Sequence, residues 1–367
     1  MPRATPLLLA AGTRFAGLSQ TRARWVLGLL ALLLAISLSA LATPRSTGLA
    51  DRGDTQTDLA LYDSIVSGVR AGGEYYGVAA AALRNGNYPL KPFVTFRLPT
   101  LATLQASMPS ALWSLLLHIL AAAVALAWFI RLRPAFARPP SRATALLLLG
   151  GGLIAFVQSG LAGLHEIWAG LIIALSLALR RPGRWVEAAA FGMIAMLFRE
   201  TAALYVGIMA AIALMEGNRR EAYGWLATLA AFAIVIMFHA HAVAQVVRPL
   251  DPSSPGWDGM LGFGFFVSSM TVSTALALAP AWLAALLVAL TLFGWAAWDD
   301  PLALRALATF CGYATLLALF GRSDTFYWGL MIAPTILIGL AFVPDALRET
   351  VLAARNPRRI TVTRLTR

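Results

Sequence analysis

Asp58 and Tyr62 stand four residues apart, as D-x-x-x-Y, where a helix would put a carboxylate and a phenol close to one face. The apolar pattern predicts that helix over residues 57–70, with Leu59, Tyr62, Val66 and Val69 sharing the face and Asp58 beside it at the amino end. A carboxylate so placed can take the proton of an acceptor hydroxyl as general base. Equally, Thr57 and Asp58 sit where helix caps belong, and an acid there complements the helix dipole. Glu74-Tyr75-Tyr76 pairs an acid with two rings, which can bond a sugar's hydroxyls and stack on its apolar face. An interfacial aromatic belt has the same composition.

Further along, charged residues recur in small groups: Arg97 before Pro99, His165-Glu166, Arg199-Glu200, and Arg322-Ser323-Asp324 with Tyr327 just beyond. An arginine at a membrane boundary can grip a lipid-linked phosphate in bidentate fashion, or simply snorkel to headgroups. Arg199-Glu200 and Arg322-Asp324 can also be internal ion pairs that hold turns. His165-Glu166 offers a metal or proton-transfer pair, but adjacent helical side chains point about 100° apart, which disfavours a shared ligand. His239 and His241 likewise face differently, and no spacing is diagnostic of a metal, although the acids near Asp58 admit a divalent ion.

The elements that must hold these groups are membrane helices. The chain has 367 residues, 59% hydrophobic and 13% charged, with a mean hydropathy of +0.73, outside the range of soluble domains. Apolar runs of about 20 residues recur, the length that crosses roughly 30 Å of hydrocarbon. The net charge of +12 falls mostly between those runs, as the positive-inside rule requires, and no basic patch with stacking aromatics points to nucleic acid. Lys91 is the only lysine, and Cys311 the only cysteine, so there is no disulfide framework or thiolate metal site.

Residues 1–24 carry four arginines and no acid and are placed in the cytoplasm. The first span, 25–43, ends in Ala40-Leu41-Ala42, which resembles a signal-peptidase site, but its apolar core exceeds the usual ~7–15 residues and reads as an uncleaved anchor. Residues 44–110 then form a folded loop outside, with five of the chain's 17 acids: Asp51, Asp54, Asp58, Asp63 and Glu74. The second span is 111–130. Hairpins at 143–179 and 185–218 lie between basic turns, and their short arms put His165-Glu166 and Arg199-Glu200 at outer tips. A 15-residue helix reaches only ~22 Å, so such tips should border a wet recess open to the outside.

The seventh span is 223–243, followed by a second outer loop over 244–277 containing Arg248, Asp251, Trp257 and Asp258. Residues 263–274 lie along the outer surface or re-enter, since a crossing there would export the basic tail at 345–367. The last spans are 278–298, 302–320 and 326–343. The predicted architecture is therefore all-α and polytopic: about ten transmembrane helices in one domain, 25–344, with the chemistry-bearing turns outside.

This layout resembles the GT-C superfamily of membrane glycosyltransferases, which have many spans and a long first extracytoplasmic loop bearing the catalytic acid. Asp58-Leu59-Ala60-Leu61-Tyr62 is similar to the acid-plus-aromatic motif of the polyprenyl-phosphate-mannose-dependent branch, glycosyltransferase family 87 and its relatives. The resemblance covers the topology of about the first two-thirds of the chain. It implies a polyprenyl-phosphate sugar as donor, a glycan or glycolipid hydroxyl as acceptor, Asp58 as base and inversion at the anomeric carbon. It also implies an arginine such as Arg97, Arg199 or Arg322 at the leaving phosphate. The competing class is a transporter or flippase for a lipid-linked or envelope-polysaccharide component, suggested by two hairpins alike in length and by Pro334 within the last span. A non-enzymatic envelope scaffold is the third reading.

Overall fold

Polar residues interrupt the apolar runs where helices begin. In chain order the helices are Gln20–Ser37 (α1), Asp54–Arg70 (α2), Tyr75–Asn85 (α3), Thr100–Ala106 (α4), Ser110–Leu132 (α5), Pro139–Leu153 (α6), His165–Leu179 (α7) and Val186–Phe198 (α8). They continue as Ala203–Met215 (α9), Arg219–Val246 (α10), Gly262–Val272 (α11), Ala281–Ala297 (α12), Pro301–Phe320 (α13), Ala333–Ile336 (α14) and Val343–Arg355 (α15). Ser19, Asn218 and Asp300 cap α1, α10 and α13 by accepting the amides of Arg22, Glu221 and Leu302. The computed structural model describes residues 6–43, 54–257 and 259–355, so Asp51, Asp258 and the arginines of the tail beyond Arg355 lie outside the described residues. Among the described residues there is no strand, only three isolated bridges.

Five helical segments among the described residues are long and apolar enough to cross a membrane: Gln20–Leu41, Ser110–Ala135, Pro139–Val157, Arg219–Val246 and Pro301–Phe320. A sixth is added if Ser323–Met331 and Ala333–Arg355, bent by 59°, count as one. The hairpin arms α7, α8 and α9 are short apolar helices of 13 to 15 residues. Residues 326–343, expected as the last span with Pro334 inside it, form a broken run. Thr325 is non-helical inside a 3-10 segment, and Pro334, which lacks an amide donor, opens α14. The segment over 263–274 forms α11, which is too short to cross. It does not lie on the surface either, because Phe265, Phe266, Val267 and Met270 are fully buried.

The bundle closes at small residues. A Cβ on Gly294 would stand 1.9 Å from the carbonyl oxygen of Gly339, and one on Gly170 would stand 2.2 Å from that of Leu330. Backbones this close leave no room for a methyl, the usual device where membrane helices pack without a hydrophobic driving force. Gly294→Ala is accordingly expected to cost ~1–3 kcal/mol of stability through overpacking, read as a lower Tm in detergent.

At the end of the bundle opposite His165, acids pair the arginines: Arg180 is bidentate on Glu221 at 2.9 and 2.7 Å, and Arg305 donates to Glu216. Residues 345–355, the start of the expected basic tail, form most of α15. Asp345 there accepts the amides of Leu7, Leu8 and Leu9, and Glu349 accepts the Thr13 amide and hydroxyl, pinning the N-terminal segment.

The long first loop is a small helical unit. Ile65 and Val66 of α2, Tyr75, Ala79 and Leu83 of α3, and Leu90, Phe96 and Ala102 share one buried cluster. Backbone bonds clamp this unit to the loop after α10, from Leu90 N–H to Pro252 O (2.9 Å) and from Ser254 N–H to Lys91 O (2.7 Å). Arg84 adds a bidentate grip on Asp251 at 2.8 and 2.7 Å and holds that carboxyl well below the usual carboxylate range.

Candidate functional site

The expected helix over 57–70 begins earlier, at Asp54, and this corrects the capping alternative for Asp58. Asp58 is the fifth residue of α2, one turn inside, so its carboxylate is not an N-cap. It projects one turn before Tyr62, and both line a cavity of about 560 Å³ between the loop unit and the tips of the bundle. Other parts of the chain complete its lining, among them Trp257 of the loop after α10. Residues 95–97 contribute Thr95 and Arg97, the first turn of α7 gives His165, and the α8–α9 turn gives Arg199, Glu200 and Thr201. The segment after α13 supplies Arg322, Asp324, Tyr327 and Trp328. Residues 269 apart in sequence, Asp58 and Tyr327, thus face one space.

Its floor is an ion network. Arg199, almost wholly buried, bonds Glu166 at 2.5 Å and also pairs with Glu200. Arg97 reaches Glu200 at 3.6 Å and donates Nε–H to the Tyr62 hydroxyl at 3.3 Å. His165 lies edge-on to the Tyr62 ring, with centroids 5.0 Å apart. At the rim, Arg322 and Asp324 pair at 2.7 Å with about a third or more of each side chain exposed. Both ion-pair alternatives, Arg199-Glu200 and Arg322-Asp324, are therefore present. The three arginines come with their own acids, so the recess is mixed in charge.

Asp58 accepts a hydrogen bond from the Tyr88 hydroxyl at 2.9 Å. Burial pushes its carboxyl above the ordinary value of 3.8, while the Tyr88 bond and Arg97 pull the other way. Burial likewise pushes the Tyr62 and Tyr75 phenols upward, so both keep their protons and remain donors at neutral pH. Tyr75 spends its proton on the Arg97 carbonyl at 2.7 Å, fixing the segment that carries Arg97.

Several residues picked out from sequence are brought to this cavity: Asp58, Tyr62, Tyr75, Arg97, His165, Arg199, Glu200, Arg322, Asp324 and Tyr327. Three are not. Glu74 caps α3 by accepting the amides of Tyr76 and Gly77, so the sugar-binding role sketched for it meets an acid already occupied as a cap. Tyr76 turns away to His239, its hydroxyl 3.2 Å from Nδ1. Glu166 lies behind the lining, beneath Arg199.

Tyr88, Trp257 and Trp328 line the cavity without having been assigned a role from sequence. Tyr88 was legible as Gly86-Asn87-Tyr88 after a helix, a chain-reversing signal. The two tryptophans lie in irregular segments with no periodicity to place them. Among the described residues no cluster of three or more His, Cys, Asp or Glu is arranged to hold a metal.

Among the described residues, buried polar atoms without a hydrogen-bond partner gather around the same space, on Thr95, His165, Thr201, Asp324 and Trp328. Each such atom costs ~1–3 kcal/mol, and such costs concentrate where a protein is built to do something other than fold. No family model matches the chain, and no curated protein or solved structure does either.

Proposed function

We propose that the chain is a membrane glycosyltransferase that moves a hexose or pentose from a polyprenyl-phosphate donor to an acceptor hydroxyl, with Asp58 as base. The observation that carries this reading is the cavity itself: a half-buried carboxylate with raised proton affinity shares it with arginines, acids and aromatic walls. A mixed lining of this kind suits a sugar, whose hydroxyls pair with carboxylates and guanidinium groups while its apolar face meets Tyr62, Tyr327 or Trp257. A bare cation trap would suit a phosphate alone.

In the proposed step the acceptor O–H proton passes to Asp58 as its oxygen bonds to the anomeric carbon. The bond from that carbon to the phosphate oxygen breaks, and the electron pair leaves with polyprenyl phosphate. One base is enough, because a phosphate leaving group needs no protonation. Its charge falls to the arginines, and Arg322 is the best placed at the rim, because its pair is the least buried of the three. Ten spans with both termini in the cytoplasm, counting the short hairpin arms as crossings, would put this cavity on the outer face of the inner membrane.

The test is incubation of the purified full chain with radiolabelled polyprenyl-phosphate sugars and a glycolipid acceptor, where transfer of label supports the reading and its absence across donors opposes it. The pH dependence is fixed in sign. Asp58 must be ionised to accept a proton, and its folded value lies above 3.8, so the acid limb of the rate profile should have its midpoint above that value. A midpoint at or below it would remove Asp58 as the base.

The transporter reading is favoured by one observation, the 59° break between Ser323–Met331 and Ala333–Arg355, since interrupted helices mark transporter sites. Proteoliposome flip of a labelled lipid-linked sugar without its chemical transfer would select it.

A further inference from the structure

The turn that follows α3 is built to deliver one hydroxyl. Asn87, at φ 58°, sits in the left-handed region after the Gly86 cap, and the amides of Asn87 and Tyr88 donate to Arg84 O (3.1 Å) and Leu83 O (2.9 Å). That pair of bonds is a Schellman ending, which asparagine tolerates better than most residues. It reverses the chain so that the Tyr88 ring lies back over Gly86. A Cβ on Gly86 would meet that ring at 2.8 and 2.9 Å, so the glycine is the seat on which the ring rests. From there the hydroxyl reaches Asp58 Oδ1, 30 residues earlier in the chain.

We propose that Tyr88 is a positioning residue for Asp58, holding one carboxylate oxygen so that the other faces the cavity as a proton acceptor. The inference rests on the transferase reading for its purpose but not for its measurement. Among the described residues no other hydrogen bond reaches this carboxylate. Among the described residues, the charged and titratable groups whose fields reach Asp58 besides Tyr88 are Arg97, Asp324, Tyr62 and Tyr327 around the cavity and Glu166 behind its lining. Arg97 favours the ionised form and the two acids oppose it. Tyr88 is thus the one neutral donor that selects both the geometry and the charge state of the base. Its proton is donated to Asp58, and the bond is stronger to the ionised carboxylate than to the protonated acid, whose carbonyl oxygen accepts it more weakly.

The experiment is an infrared titration of the carboxyl band of Asp58 in the full chain in nanodiscs, with Asp58→Asn subtracted to isolate that band. Tyr88→Phe keeps the ring and removes the donor, and the Asp58 midpoint is expected to rise by about one pH unit, the worth of one hydrogen bond to a charged group. Gly86→Ala keeps the hydroxyl but displaces the ring, and the midpoint should move in the same direction. The acid limb of sugar transfer should shift in parallel in both variants, with KM for the donor little changed, whereas a loss of structure would lower the rate evenly across pH.

An Asp58 midpoint that stays in place in both folded variants overturns the proposal. If Tyr88→Phe fails to fold, Gly86→Ala alone decides. A shifted midpoint in a chain that transfers no sugar supports the positioning role and sinks the transferase reading. Active transfer with an unshifted midpoint does the reverse.

Discussion

Asp58→Asn is expected to lower sugar transfer by ~10²–10⁴-fold, the usual worth of a positioned general base, while leaving the protein as stable as before or more so. The second half of that expectation follows from the environment. Burial raises the Asp58 carboxyl, so ionisation at neutral pH opposes folding: the unfolded chain gives up this proton first, and stability falls as pH climbs from the ordinary value to the folded one. Asparagine has no charge to bury, and its carbonyl oxygen can still accept from Tyr88. Loss of activity together with an unchanged or higher Tm would identify a group kept for chemistry. Loss of activity together with a lower Tm would mean that Asp58 holds α2 to the loop after α3, and its catalytic assignment would fall.

The second large effect lies beneath the cavity. Arg199→Met is expected to destabilise the fold by ~3–5 kcal/mol, seen as a large drop in Tm or as loss of monodisperse protein, because Glu166 and Glu200 would be left without their shared cation. Glu166 is almost wholly buried and has no route to solvent, whereas Glu200 retains Arg97 at 3.6 Å. Neutralising the acids alongside, as Arg199→Met with Glu166→Gln and Glu200→Gln, should restore much of the loss, since three neutral groups of similar volume carry no uncompensated charge. A single variant with a Tm near wild type would show that the network relaxes into the cavity, and that Arg199 is no more than a surface pair.

How much of this was open to the sequence differs by element. The long helices were, because apolar runs of about 20 residues mark them, although α1, α10 and α13 start one to five residues before the expected spans, at the caps Ser19, Asn218 and Asp300. The recess was also foreseeable: arms α7, α8 and α9 stop after 13 to 15 residues with His165 and Arg199-Glu200 at their tips. The fate of Glu74 was not, since an acid before two tyrosines reads alike as a cap or as a sugar ligand, and only the amides of Tyr76 and Gly77 decide it. Neither was the pairing of Arg199 and Arg97 with acids from other turns, because Arg199–Glu166 and Arg97–Glu200 join residues that no periodicity relates. The broken run after Arg322 shows a further limit. Its composition is that of a span, and Pro334 is the local cue to a break, whereas nothing in the pattern marks the departure at Thr325, which lines the cavity.

The most direct test of the central claim is a structure of the full chain in nanodiscs with a polyprenyl-phosphate sugar bound. The account predicts the sugar in the cavity lined by Asp58, Tyr62, Arg97 and Tyr327, the phosphate at Arg322 or Arg97, and a free carboxylate oxygen of Asp58 facing the anomeric carbon across room for an acceptor hydroxyl. A ligand seated elsewhere, or a sugar whose anomeric carbon points away from Asp58, would contradict it.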